Sequence, residues 1–100
     1  MKELNWGGLG SSYAASKLIA RREPFSLVIS GKAADALKSV AGPDARFDRE
    51  LLAKVASNLS LTTLPAVMLY ALGRRYRLEY DRVEEGIRMR FLTGGEGESA

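Results

Sequence analysis

Arginine recurs at every second position in two short runs near the end of this chain, "RRYRLEY" and "GIRMRFL". In the first run Tyr76, Leu78 and Tyr80 alternate with Arg75, Arg77 and Glu79. In the second, Ile87, Met89 and Phe91 alternate with Arg88 and Arg90. A period of two belongs to a half-buried β-strand, so the two runs predict an antiparallel hairpin with one apolar and one arginine-bearing face. The planar guanidinium matches carboxylate and phosphate oxygens two at a time. Arg75, Arg77, Arg88 and Arg90, with Arg74 at the periphery, could therefore dock an acidic protein patch or a phosphate backbone. They could equally form an ordinary solvated sheet face whose arginine stems cover apolar atoms.

Other chemistry has little to work with. The chain contains no His and no Cys, which removes imidazole acid–base work, imidazole or thiolate metal ligands, and disulfides. The absence of cysteine suits a reducing, cytoplasmic setting. Two carboxylate pairs stand out, Asp44 with Asp48 and Glu84 with Glu85. The first falls at a helix start, where acids favour the dipole, and the second in a turn. Neither has the enclosed apolar setting that drives two carboxyl pKa values apart. A nucleophile would have to be Ser, Thr or Lys, and no spacing supplies its base. The "WGGLGSS" stretch could gather backbone N–H groups around an anion, but no "GK[ST]" follows and no strand is read before it. The expectation is a non-enzymatic chain without a metal or cofactor.

The elements that must hold the arginines are read as follows. Residues 1–10 form a flexible glycine-rich leader that Trp6 anchors on the body. Ser11 or Ser12 caps a helix over residues 13–22, and Pro24 stops it. "FSLVIS" is a strand with Phe25, Leu27 and Ile29 on one side, and Val28 on the other hints that both faces are partly covered. "KAADALKSVAG" is a short helix closed by Gly42 and Pro43. In "RFDRELLAKVASN", Asp48 is the N-cap and Phe47 with Leu52 forms a hydrophobic staple. Thr62 or Thr63 restarts the helix, Pro65 sits in its first turn, and Gly73 ends it. "SLTTLPAVMLYALG" carries no charge and is shorter than the ~20 residues a bilayer span needs, so it is assigned to the core and not to a membrane.

The hairpin register follows from the alternation, with a loop over residues 81–86. Tyr80 faces Ile87, Leu78 faces Met89 and Tyr76 faces Phe91, which places Glu79 across from Arg88 and Arg77 across from Arg90. An amphipathic hairpin needs a layer on its apolar face, and the uncharged helix supplies it. One hundred residues at 46% hydrophobic composition suit one domain, placed at residues 11–92 with a disordered tail at 93–100. The fold expected is α+β, a two-layer sandwich with helices on one face of a small mixed or antiparallel sheet that ends in a C-terminal hairpin.

The order "FSLVISG", helix, "TTLPAVMLYALG", "RRYRLEYDRVEEGIRMRF" resembles the C-terminal, ATPase-like domain of bacterial histidine phosphotransferases, which relay phosphate between response regulators in two-component signalling. The resemblance covers roughly residues 25 to 92 and is carried by the "T-x-x-P" opening at Thr62 and Pro65, the apolar helix to Gly73, and the terminal hairpin. It implies a fold similar to the catalytic domain of sensor kinases. "SYAASKLIARRE" has no Asn or Glu placed to hold Mg²⁺, and "GKAADAL" replaces the "D-x-G-x-G" turn, so the resemblance implies a domain that does not bind ATP. The phosphorylatable histidine of that family and its helical hairpin are absent from this sequence. What remains implied is docking of a response regulator or related partner.

Three functions are thus carried forward. The first is a non-catalytic protein-interaction domain using Arg75, Arg77, Arg88 and Arg90, in which charge reversal at Arg77 and Arg90 abolishes capture and leaves stability nearly unchanged. The second is a small basic nucleic-acid-binding domain using the same face, suited by the net charge of +3. Against it, Tyr76 and Tyr80 lie on the apolar face, away from the arginines. The third is a homo-oligomer joined by a sheet edge or the apolar helix.

Overall fold

Phe25, Leu27 and Ile29 build the middle of the protein, as their alternation implies. In a computed structural model, which describes residues 1–7, 9–40, 46–47, 49–56 and 63–93, they lie on strand β2 (Phe25–Ser30) with no exposure to solvent. On one side β2 pairs antiparallel with β5 (Gly86–Leu92), which pairs with β4 (Arg77–Val83), which pairs with the two-residue β3 (Arg46–Phe47). On its other side β2 pairs in parallel with β1 (Lys2–Asn5), giving the sheet order β1-β2-β5-β4-β3. Helix α1 (Leu9–Ala20) makes the crossover between the two parallel strands. The helices α2 (Gly31–Val40), α3 (Arg49–Ala56) and α4 (Leu64–Gly73) occupy the connection from β2 to β4.

The four helices of the described residues cover one face. Ala15, Leu18 and Ile19 of α1, Leu37 of α2, Leu52 of α3, and Leu64, Val67, Met68 and Ala71 of α4 join Leu27, Leu78, Tyr80, Ile87 and Met89 in a single core. The fold is the α+β two-layer sandwich expected. The uncharged helix is its cover, burying Leu64, Val67, Met68 and Ala71. Burying each large apolar side chain contributes roughly 1.5 to 3 kcal/mol. Phe25 and Phe91 stack at 4.4 Å and Tyr76 packs edge-on to Phe25 at 6.4 Å, closing the core at the end where α1 and α4 finish.

Three expectations need correcting. The leader is a strand: Leu4 and Trp6 pack against the core, and the Trp6 N–H continues the pairing to the Val28 carbonyl at 2.9 Å. Ser11 is not an N-cap, because α1 begins at Leu9. Its hydroxyl ties the β1–α1 turn by donating to the Asn5 carbonyl at 2.7 Å and accepting from the Gly7 N–H at 2.9 Å. The hairpin is tighter than the alternation suggests. Val83 pairs with Gly86 across a two-residue turn at Glu84 and Glu85, so Leu78 faces Phe91, Tyr80 faces Met89 and Glu79 faces Arg90. A slip of two residues leaves every side chain on its own face, so the apolar pattern cannot distinguish the two registers.

Gly86 is where β5 comes closest to β2 and α2. It has φ 151°, and a Cβ there would lie 2.3 Å from the Ile29 carbonyl oxygen and 2.8 Å from Ala34 Cβ. Only glycine fits this close approach of β5 to β2 and α2. Asp48, Gly42, Pro43, Thr62 and residues 94–100 lie outside the described residues. Thr63 stands at the start of α4 without a side-chain capping bond, and Pro65 occupies the first turn. Among the described residues no helix is long and apolar enough to cross a membrane.

Candidate docking surface

Arg77, Arg88 and Arg90 do share the open face of the sheet, and the observed register gives each a carboxylate. Arg77 Nε lies 2.8 Å from Glu79 Oε2. Arg90 reaches Asp81 Oδ1 at 2.7 Å and Glu79 Oε1 at 3.7 Å. Arg88 Nε lies 2.9 Å from Glu3 Oε2. Glu3 is on β1 and Arg88 on β5, with β2 between them, so this bridge straddles β2 along the rows of Ser26 and Val28. That explains why both are buried although they point away from the helices. Three arginines meet three carboxylates, so this part of the face is electrically balanced. The expected facing pairs, Glu79 with Arg88 and Arg77 with Arg90, do not form. Partly exposed pairs of this kind are worth ~0.2–1 kcal/mol each.

Arg75 is not on that face. β4 begins at Arg77, and Arg75 belongs to the turn that ends α4, with φ 65°. The turn is a Schellman closure: the Tyr76 N–H donates to the Ala71 carbonyl at 2.9 Å and the Arg75 N–H to the Leu72 carbonyl at 3.1 Å. The end of α1 repeats it. The Glu23 N–H donates to the Leu18 carbonyl and the Arg22 N–H to the Ile19 carbonyl, each at 3.0 Å, and Arg22 has φ 59°. The two turns hold Arg-Arg pairs, Arg21–Arg22 and Arg74–Arg75, in equivalent places. In each, an arginine adopts the left-handed conformation that glycine ordinarily takes. Gly73, which sequence reasoning placed as the stop, lies two residues too early to relieve it.

These ends are laced together. Arg22 donates to the Arg74 carbonyl, Arg74 donates to the Ala20 carbonyl at 3.3 Å, and the single proton of the Tyr76 hydroxyl is shared between the Glu23 carbonyl at 2.8 Å and the Leu18 carbonyl at 3.2 Å. Arginines thus neutralise the negative ends of two neighbouring helix dipoles, at ~0.3–1 kcal/mol each. Arg22 also lies over the Tyr76 ring, 5.9 Å from its centre. The Arg49 guanidinium hangs over the end of α4, 3.9 Å from where a Cβ on Gly73 would project. Arg21, Arg22, Arg49, Arg74 and Arg75 therefore converge on one end of the molecule, all exposed. Their one carboxylate partner among the described residues is Glu23, at 3.9 Å from Arg21. The guanidinium of Arg75 has no partner among the described residues.

Of the four arginines singled out from the sequence, the structure brings three together and sets one apart. Sequence reasoning missed Glu3, which lay in a supposed leader, and Arg49; it placed Arg21 and Arg22 as charges suited to the negative end of the first helix, without joining them to Arg74 and Arg75. The available signal was the repeat of Arg-Arg shortly before each of two strands, "ARREPF" and "GRRYRL". In comparisons with known proteins, the chain matches no family model, no curated protein and no solved structure.

Proposed function

We propose that this chain is a non-catalytic protein-interaction domain, and that it docks an acidic protein partner through the arginine-bearing end where α1 and α4 finish. The carrying observation is Arg75. It holds a conformation that costs a non-glycine residue roughly 1 to 2 kcal/mol, and its guanidinium makes no hydrogen bond or ion pair among the described residues. Arg22 is held in the same conformation, but its guanidinium caps the neighbouring helix. A strained arginine exposed beside four others is placed for a ligand outside the chain. The sheet face, where Arg77, Arg88 and Arg90 are matched by carboxylates, offers less net charge to a partner.

The resemblance to the ATPase-like domain of histidine phosphotransferases makes a response regulator or related signalling protein of a bacterial phosphorelay the natural partner, in the cytoplasm. The test is calorimetric binding of purified receiver domains to the wild type and to Arg75→Glu, with melting curves of both. Loss of binding at unchanged Tm is expected. Equal binding by Arg75→Glu would remove the assignment. Tighter binding of a single-stranded oligonucleotide, with affinity falling steeply as salt rises, would favour the nucleic-acid function instead.

A further inference from the structure

Helix α4 is apolar on two sides, although one side suffices for the core. Leu64, Val67, Met68 and Ala71 face inward. On the opposite side Ala66, Leu69, Tyr70 and Gly73 are exposed and succeed one another at helical spacing, with Leu69 45% and Tyr70 40% open to solvent. No charged residue interrupts this stripe between Leu64 and Gly73. A solvated helix face ordinarily carries charges there, as α3 does with Arg49, Glu50 and Lys54. The stripe runs straight into the arginine end: Arg74 follows Tyr70 by four residues, Arg75 lies beyond it, and Arg49 hangs over Gly73.

From this continuity we infer that the outer face of α4 is the apolar half of the docking surface, and that its occupant is a partner segment carrying aliphatic or aromatic side chains flanked by Asp or Glu. The inference rests on the docking function proposed above and adds the location and chemistry of the contact. Leu69 and Tyr70 supply the desolvated centre, and Arg49, Arg74 and Arg75 supply a rim of one sign that selects carboxylates. Tyr and Arg are the residue types that dominate binding energy when so arranged. The combination argues against the other occupants. A nucleic-acid backbone gains little from Leu69 and Ala66. The chain's own residues 94–100 bring Glu96 and Glu98 but no large apolar side chain to cover the stripe. A second copy would set arginine against arginine wherever the same surfaces met.

The test uses the full chain and two synthetic peptides of equal composition. One is a helix with leucines on one face and glutamates on its flanks, and the other is a scrambled sequence without that face. Amide NMR shifts locate the contact and fluorescence polarisation gives affinity. The amphipathic peptide is expected to move the amides of Leu69, Tyr70, Gly73, Arg74 and Arg75 and to bind at least tenfold more tightly than the scrambled one. Leu69→Ser with Tyr70→Ser is expected to erase that preference while leaving Tm within a few degrees, because both side chains are already exposed. If both peptides bind alike and the serine variant matches the wild type while Arg75→Glu loses binding, docking stands and the apolar half is wrong. If Arg75→Glu binds the amphipathic peptide as the wild type does, the docking function itself fails. The inference is likewise overturned by shifts confined to Arg77, Arg88 and Arg90, by an oligonucleotide binding more tightly than either peptide, by concentration-dependent mass in sedimentation, or by tighter peptide binding after deletion of residues 94–100 with shifts away from α4.

Discussion

Arg22 and Arg75 occupy the same backbone conformation at the ends of two helices, and their side chains meet different fates. Glycine at position 75 relieves the left-handed strain and removes no side-chain hydrogen bond or ion pair among the described residues. Arg75→Gly is therefore expected to stabilise the fold by about 0.5–1 kcal/mol, after allowance for the greater freedom of glycine in the unfolded chain. That corresponds to a rise in Tm of about 2–8 °C in thermal denaturation. Arg22→Gly relieves the same strain but forfeits the bond to the Arg74 carbonyl and the contact with Tyr76. It is expected to leave Tm unchanged or lower. Equal gains from both substitutions would contradict the distinction between a structural arginine and one held for a ligand. Gly86→Ala is the opposite case. With backbone 2.3 Å from the new Cβ, it is expected to cost at least ~1–3 kcal/mol, read as a lowered denaturation midpoint. Which glycine is indispensable was not legible in the sequence. Gly73 and Gly86 both look like punctuation, and only the packing of α2 and β2 against position 86 separates them.

At the scale of elements, what could be read was what periodicity controls. "FSLVIS", the uncharged helix and the alternating hairpin strands each carry several apolar residues at a consistent spacing; each is present, although the first hairpin strand starts later, at Arg77, and runs on through the expected loop to Val83. What could not be read depends on partners distant in sequence. Strand β1 offers only Leu4, with Trp6 just beyond its end, as alternating apolar positions, too few to separate a strand from a leader, and it is held by pairing with β2. The hairpin register is invisible to a pattern of period two, and with it went the identity of the carboxylates facing the arginines. That register changes what the arginine face is expected to do. Charge reversal at Arg77 and Arg90 breaks three ion pairs and sets glutamates beside Glu79 and Asp81. Arg77→Glu with Arg90→Glu is expected to cost about 1–3 kcal/mol, lowering Tm by at least ~4 °C. An unchanged Tm would show that the lattice of pairs contributes nothing.

Across the whole molecule the charge is sorted. The net +3 of the chain does not describe any one surface: Arg77, Arg88 and Arg90 are balanced by Glu3, Glu79 and Asp81 on the sheet, and among the described residues five arginines with one paired acid gather where α1 and α4 end. Composition reports the excess, but only the parallel placement of the two helices concentrates it. Exposed charges of this kind act over a Debye length of ~8 Å at physiological salt. Binding of an acidic partner is therefore expected to weaken on raising salt, while the contribution of Leu69 and Tyr70 persists, a difference that titrations at two salt concentrations resolve. The most direct measurement combines the two scales. Affinity for the acidic amphipathic peptide and thermal stability are measured side by side on the wild type and Arg75→Gly. Binding at least tenfold weaker in a protein that melts at a higher temperature is the expected result. Unchanged affinity, or a loss of affinity that only accompanies a loss of stability, would contradict the assignment of this end of the molecule to a partner.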